Sequence, residues 1–173
     1  MQLRPYQQDA VDSAIAWMRK STEPALLGLS TGAGKSHIAA AIALWITQKT
    51  GKKVLVLQPS KELTSQNFEK YLATGEKASI FSASANSKCT RHNVVYATPK
   101  TVLNSVSRFG DAFACVIVDE AHMTTPTIKQ IIAHIAAKNP MLRVIGMTAT
   151  PYRLGTGYIY QYDATGERIS KLN

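Results

Sequence analysis

Short apolar runs alternate with segments of helical periodicity along most of the chain. The apolar runs predict strands at residues 25–29, 53–57, 78–81, 93–97, 113–118 and 143–147. The periodic segments predict helices at residues 5–18, 36–48, 62–72, 100–106 and 127–137, whereas the polar residues 82–91 predict a loop. Strands that alternate with helices indicate βαβ crossovers, and nearly continuous apolar strands indicate burial on both faces. The pattern therefore predicts an α/β fold with a mainly parallel sheet and helices on both of its faces.

The pattern changes from Leu154 onward. Residues 158–162 and 168–169 flank a polar segment and predict a short hairpin. The tyrosines of this segment form either one face of the hairpin or a platform on which bases stack. We therefore expect a domain at residues 1–153, followed at residues 154–173 by a tail or the start of a linker.

Length and charge narrow the class of protein. The 173 residues suffice for one ordinary α/β domain, and their composition excludes a disordered chain, a collagen and a disulfide-rich secreted scaffold. Lys and Arg number 20 against 11 Asp and Glu, and the formal net charge of +9 favours polyanionic partners such as nucleic acid. A basic protein without such a partner explains the charge equally well.

Neither a membrane nor a zinc ion is expected from the sequence. No apolar run reaches about 18 residues and no apolar signal core follows Met1, so we expect a cytoplasmic protein with no membrane span. Cys89 and Cys115 are isolated, without a C-x-x-C spacing, which argues against a zinc site built from this chain alone.

A glycine-rich segment between a predicted strand and a predicted helix has the residues of a phosphate-binding loop, Gly32-Ala33-Gly34-Lys35-Ser36. Small residues let successive backbone N–H groups turn toward phosphate oxygens, and the helix N-terminus favours anions. Lys35 is expected to reach the β- and γ-phosphates, and Ser36 to bind Mg²⁺. Leu29 stands where the strict pattern has glycine, and the alternative is a glycine turn with an incidental lysine.

An acidic pair, Asp119-Glu120, follows the strand predicted at residues 113–118. Side chains at the carboxyl ends of parallel strands face the crevice in which ligands bind. We expect Asp119 to hold Mg²⁺, through water, and Glu120 to orient and deprotonate the attacking water. A solvated turn is the alternative for any isolated Asp-Glu pair.

Six segments in order resemble the motifs of superfamily 2 helicases and nucleic-acid translocases. Residues 3–7 resemble the adenine-reading Q-type motif, residues 30–36 motif I, residues 56–63 motif Ia, residues 97–100 motif Ib, residues 119–122 a DEAH-type motif II, and residues 147–153 motif III. Within this superfamily, residues 3–8, 31–36, 148–155 and 158–161 resemble the bacterial RadD-like DNA repair ATPases. The resemblance implies the N-terminal RecA-like lobe of a DEAD/DEAH-box helicase, a P-loop NTPase lobe with ATP and Mg²⁺ as cofactors.

The resemblance also implies roles for individual residues. The residues that would bind ATP are Arg4, Gln7, Thr31, Gly32, Ala33, Gly34, Lys35 and Ser36, with Gln7 at the adenine edge and Arg4 stacked near it. Lys35, Asp119 and Glu120 would carry hydrolysis, and His122, Thr148 and Thr150 would couple nucleotide state to the grip on nucleic acid. The residues along the nucleic-acid backbone would be Pro59, Ser60, Thr98, Pro99 and Lys100, whose contacts carry no sequence information.

The family motor has two RecA-like lobes with ATP between them, and nothing in this sequence resembles the second lobe or its arginine finger. Arg153 belongs to the first lobe and does not take that role. We therefore expect the first lobe of a DNA helicase or translocase, incomplete without a second lobe in cis or in trans. The chain is then a fragment of a longer helicase, a natural short protein of a bacterium or phage, or a degenerate remnant.

Two other function classes compete with a helicase lobe. One is an ATP- or DNA-binding module without useful turnover. The other is a P-loop small-molecule kinase, which would need an arginine-rich lid that the sequence lacks and would leave Thr148-Ala149-Thr150 unexplained. The preference for DNA over RNA rests on the RadD-like resemblance.

Overall fold

The computed structural model describes residues 2–150, together with the backbone of residues 152–153, 157–158, 161–162 and 168–169. The helices are α1 (Pro5–Lys20), α2 (Lys35–Thr50), α3 (Lys61–Leu72), α4 (Pro99–Leu103) and α5 (Pro126–Lys138). The strands of the main sheet are β1 (Ala25–Gly28), β2 (Lys53–Leu57), β3 (Ala78–Ser82), β4 (Ser87–Lys88), β5 (Val94–Ala97), β6 (Phe113–Asp119) and β7 (Arg143–Thr148).

The seven strands lie in the order β1-β7-β6-β2-β5-β3-β4. All neighbouring pairs are parallel except β3 and β4, which are antiparallel. The chain thus crosses over repeatedly through a helix, as parallel pairing requires. The predicted α/β fold with a mainly parallel sheet is confirmed.

Helices cover both faces of the sheet, and each face has its own hydrophobic core. The core beneath α1, α2 and α3 includes Val54 and Val56 of β2, whereas the core beneath α4 and α5 includes Leu55 and Leu57 of the same strand. Successive side chains of a strand point to opposite faces, so a strand buried on both sides must be apolar at every position. This explains why the central strands are continuous apolar runs rather than alternating ones.

The prediction of a loop at residues 82–91 is wrong in part. Ser87–Lys88 forms the edge strand β4, which pairs with Phe81–Ser82 after a 3-10 turn at Ala83–Ala85. Asn86 closes this turn with a left-handed backbone, at φ +50°. An edge strand of two polar residues buries little side-chain surface, so hydrophobic periodicity does not reveal it.

The helix predicted at residues 100–106 is also wrong in extent. It begins at Pro99, ends at Leu103, and is followed by a separate 3-10 turn at Val106–Arg108. Proline at the first helical position fits because its missing N–H would have no intrahelical partner there. The other predicted helices are present, with ends that differ by a few residues.

The short strands after the main sheet are β8 (Tyr152–Arg153), β9 (Gly157–Tyr158), β10 (Gln161–Tyr162) and β11 (Arg168–Ile169). β8 pairs antiparallel with β9, and β10 pairs antiparallel with β11. The second pair confirms the hairpin prediction in part, because Gln161–Tyr162 pairs with Arg168–Ile169. The prediction is wrong for Tyr158, which belongs to the first pair. The predicted turn at 163–167 and residues 159–160 lie outside the described residues. None of the helices in the described part of the chain is long and apolar enough to cross a membrane.

Candidate active site

The predicted phosphate loop connects β1 to α2 at the carboxyl edge of the sheet. Gly32 and Gly34 have φ values of +80° and +77°, a left-handed backbone that glycine adopts without a steric penalty. Gly34 is the N-cap of α2, so Lys35 and Ser36 lie in the first turn of that helix. The first N–H groups of a helix have no intrahelical partner and carry the positive end of its dipole. The loop therefore has the backbone geometry that an anion requires.

The start of α1 is fastened to this loop through the carbonyl oxygen of Ala33. Gln7 donates from Nε2 to that oxygen at 2.9 Å, and the Tyr6 hydroxyl donates to it at 3.1 Å. The Oε1 atom of Gln7 accepts from the backbone N–H of Arg4 at 2.9 Å. Gln7 is buried and Arg4 is exposed. Because an amide group has two donors and two acceptor sites, Gln7 keeps one of each for another partner.

Tyr6 is a loop contact that sequence reasoning missed. Residues 3–7 resemble a motif that implies roles for Arg4 and Gln7, whereas nothing in the sequence indicated a contact for the tyrosine between them. Tyr6 is 43% exposed, and only the folded chain shows that its hydroxyl reaches a residue 27 positions away.

The phosphate-loop lysine and the acidic pair share one site. Lys35 Nζ lies 2.6 Å from Glu120 Oε1, and the two side chains are only 16% and 26% exposed. Asp119, the last residue of β6, is buried, and its Oδ1 accepts from the backbone N–H of Glu120 at 2.9 Å. The predicted nucleotide site requires the lysine and both acids to lie together, and they do lie together in the structure.

Glu120 has a left-handed backbone, with φ +50° and ψ +52°. A non-glycine residue in this region carries strain of order 1–3 kcal/mol, and such residues cluster at functional sites. The conformation turns the chain from β6 into a 3-10 turn at Ala121–Met123 while the carboxylate contacts Lys35. No pattern in the sequence predicted this conformation.

The Asp119 carboxyl is held in an environment that disfavours its charge. Burial raises its pKa, while the hydrogen bond from the Glu120 N–H opposes that rise; the neighbouring Glu120 charge adds to it, and Lys35 and His122 oppose it. A buried carboxylate that lacks full neutralisation is a ready ligand for a hard cation, which prefers oxygen donors. Ser36 supplies a partly buried hydroxyl from the first turn of α2. The donor set fits Mg²⁺.

Hydrogen bonds connect the three residues that are predicted to couple the nucleotide state to nucleic-acid binding, His122, Thr148 and Thr150. His122 Nδ1 lies 2.7 Å from Thr148 Oγ1 and 3.4 Å from Glu120 Oε2. Thr148 Oγ1 donates to the carbonyl of Thr150 at 3.1 Å and accepts from its N–H at 3.0 Å. The chain of contacts links Glu120 to the end of β7.

The predicted nucleic-acid residues lie at the ends of β2 and β5. Pro59, Thr98, Pro99 and Lys100 line a cavity of about 470 Å³ whose wall also includes Asp119 and Glu120. Ser60 is not among the lining residues of this cavity, and its Oγ accepts from the backbone N–H of Leu63 at 3.2 Å, which caps α3. Four of the five residues therefore lie together beside the acidic pair, and the contact of all five with nucleic acid stays a prediction.

The parallel sheet and this site define the class of protein as a P-loop NTPase lobe of the RecA-like kind. Within that class, the chain belongs to the family described as type III restriction enzyme, res subunit, whose model matches residues 1–153. The predicted membership of the superfamily 2 helicases is confirmed, whereas the nearer resemblance to RadD-like repair ATPases stays a prediction.

Several known proteins are similar to this chain. It is 28% identical over 163 residues to the ATP-dependent DNA helicase fml1 of Schizosaccharomyces pombe, an alignment that covers 86% of this chain and 19% of the helicase. It is 30% identical over 144 residues to the ATP-dependent DNA helicase mph1 of Aspergillus fumigatus, covering 73% of this chain and 13% of that one. The chain thus spans a fifth or less of the length of these relatives.

One solved structure supports the same fold. The Hef helicase domain of Pyrococcus furiosus matches with a TM-score of 0.70 and 26% identity, covering 87% of this chain and 33% of that one.

Proposed function

We propose that this chain is the ATP-binding first lobe of a DNA helicase or translocase that hydrolyses ATP. The observation that carries the proposal is the 2.6 Å contact between Lys35 Nζ and Glu120 Oε1, with the buried Asp119 alongside. A phosphate-binding lysine, a metal-binding carboxylate and a general base must converge for Mg²⁺-dependent hydrolysis. The relatives fml1 and mph1 are ATP-dependent DNA helicases, which supports the same activity for this chain.

The chemistry follows from the positions of the side chains. Lys35 exchanges Glu120 for the β- and γ-phosphates, which frees the Glu120 carboxylate to orient a water and accept its proton. Ser36 and Asp119 are the residues that would hold Mg²⁺, Asp119 through water. When bound, Mg²⁺ neutralises charge on the phosphates. The residues that would surround the phosphates through their backbone are Thr31, Gly32, Ala33 and Gly34. The spare donor and acceptor of Gln7 would suit the adenine edge, beside Arg4.

Glu120 is the residue through which ATP hydrolysis would be coupled to nucleic-acid binding. Its second carboxylate oxygen faces His122, which bonds Thr148 and through it Thr150. We propose that loss of the γ-phosphate changes this chain of hydrogen bonds. The cavity beside Glu120 is lined by Pro59, Thr98, Pro99 and Lys100, so nucleic acid along that edge would adjoin the site of hydrolysis.

The lobe is proposed to act with a second one. Residues 1–153 would form the ATP-binding domain, which is the extent of the family match, and residues 154–173 a tail or linker. An arginine from across the cleft accelerates phosphoryl transfer by 10³–10⁵ in comparable enzymes. We therefore expect this chain alone to hydrolyse ATP slowly and to bind DNA weakly. We also propose that the protein is cytoplasmic.

ATP binding and phosphate release, measured with and without single-stranded DNA, test the proposal. Lys35→Ala should abolish Mg²⁺-dependent ATP binding, whereas Lys49→Ala, an exposed lysine at the other end of the same helix, should leave it intact. The affinity for DNA should fall steeply with salt, because phosphate contacts release counterions. Equal ATP binding by both variants would refute the assignment of the loop. Binding without turnover, even with DNA and a second lobe, would favour a binding module.

A further inference from the structure

A second cavity lies at the amino edge of the sheet, at the opposite end from the phosphate loop. Its volume is about 300 Å³, near the lower bound of pockets that hold small ligands. Its wall is mostly apolar, with Met18, Trp45, Ile46, Ala114 and Met141. Met141, one of the lining residues, is 63% exposed and is therefore accessible to a partner.

Three cations surround this apolar wall, and no carboxylate does. Arg19, Lys52 and Arg143 line the cavity, while its lining includes neither Asp nor Glu. The ion pairs among residues 2–150 involve Lys35, Lys61 and His122, so none of the three rim cations has a carboxylate of these residues within 4.0 Å. A cation that lies beside apolar surface and has no acidic neighbour favours an anionic partner.

Each rim cation contacts another part of the chain, and Arg143 is the most strongly held of the three. Arg143 donates from Nε to the carbonyl of Met18 at 2.8 Å and from Nη1 to the carbonyl of Met141 at 2.7 Å. Lys52 Nζ donates to the carbonyl of Asp111 at 3.2 Å, and the Arg19 guanidinium lies 5.5 Å from the centre of the Trp45 ring. A guanidinium has five N–H donors, so Arg143 keeps three for a partner, and its fixed position lowers the entropic cost of binding.

We propose that this cavity is a docking site for an acidic protein segment that inserts one large apolar side chain. The apolar wall would receive that side chain, and its flanking carboxylates would bind Arg143, Lys52 and Arg19. A second copy of this chain fits poorly, because both copies carry a net charge of +9. Nucleic acid fits less well than a peptide because the wall offers mostly apolar surface. The site is independent of the ATP chemistry at the other edge.

A labelled peptide with one phenylalanine between aspartates tests the proposal by fluorescence anisotropy against the 173-residue chain. We expect saturable binding with a dissociation constant below about 1 mM. Serine in place of the phenylalanine, or lysines in place of the aspartates, should abolish it. The Trp45 fluorescence should change with the same midpoint in a Trp17→Phe background, because Trp45 lines the cavity and Trp17 does not.

Variants distinguish this cavity from the rest of the basic surface. Met141→Glu should weaken binding at least tenfold, and Lys52→Glu at least threefold. Met123→Glu is the matched control, since Met123 is also exposed, at 56%, but lies at the catalytic edge, and it should bind as the unsubstituted chain does. Arg143→Ala is avoided because it would also release the carbonyls of Met18 and Met141.

Three results would overturn the proposal. The first is no saturable binding of the acidic peptide, and the second is equal binding by Met141→Glu and Met123→Glu. The third is a single-stranded oligonucleotide that binds more tightly than the peptide and loses its affinity in Met141→Glu, which would assign the cavity to nucleic acid. An intact ATP-binding site in any of these cases would leave the proposed function standing.

Discussion

Replacement of Glu120 by glutamine separates two roles that the structure gives to one carboxylate. In the structure, Glu120 pairs with Lys35 at 2.6 Å, and the proposed reaction requires it to leave that pair and act as the base. Glutamine keeps the shape and a neutral hydrogen bond but cannot accept the proton. We expect Glu120→Gln to bind nucleotide more tightly and to hydrolyse it far more slowly.

The magnitude follows from the burial of the pair. Both side chains are less than a third exposed, so the hydrogen bond between charged groups contributes about 1.5–3 kcal/mol, against about 0.5–1.5 kcal/mol for a neutral one. ATP must displace this contact to reach Lys35. A difference of about 1.4 kcal/mol makes nucleotide binding about tenfold tighter. Loss of a general base typically lowers the rate by about 10²–10⁴.

The assay combines titration of a fluorescent nucleotide with measurement of phosphate release. Glu62→Gln is the matched control, because Glu62 also lies near a lysine, Lys61, at 3.8 Å, but both of those side chains are more than 60% exposed. We expect that control to change neither quantity. Hydrolysis that survives in Glu120→Gln would refute the assignment of the base. Lost hydrolysis with unchanged affinity would show that the Lys35 pair does not compete with nucleotide.

Two further substitutions test the metal ligand and the loop. Burial raises the Asp119 pKa, so the neutral carboxyl contributes stability at low pH that is lost as the pH rises from the ordinary carboxyl range through this raised pKa. Asp119→Asn should therefore raise the melting temperature at neutral pH, by about 2–4 °C per kcal/mol, and a lower melting temperature would contradict this. The same variant should abolish Mg²⁺-dependent nucleotide binding. Gly34→Ala should destabilise the fold by about 1–3 kcal/mol and weaken nucleotide binding at least tenfold, because Gly34 has a positive φ and the added Cβ would overlap Gln7 Nε2. The control Gly75→Ala, at φ +86° in open space, should cost about 1 kcal/mol of stability without affecting nucleotide binding. Equal effects of the two substitutions in chemical denaturation would rule out the Gln7 contact as the cause.

The sequence by itself determined the fold class and the two chemical centres. The strands at the middle of the sheet are contiguous apolar runs, and the phosphate loop and the acidic pair are contiguous motifs. These signals are local, because a strand buried on both faces must be apolar at each position, and a loop that wraps a phosphate must be small at each position. Local requirements of this kind leave a trace in neighbouring residues.

Only the tertiary structure decided which of these residues meet. Lys35 and Glu120 are 85 positions apart in the sequence. The strand order β1-β7-β6 brings them together, and no local sequence pattern predicts that order. The same holds for the Tyr6 contact with Ala33 and for the left-handed backbone of Glu120, a conformation imposed by the contacts around it. The edge strand β4 was missed for a related reason, because it depends on backbone hydrogen bonds to β3, which leave no hydrophobic pattern in the sequence.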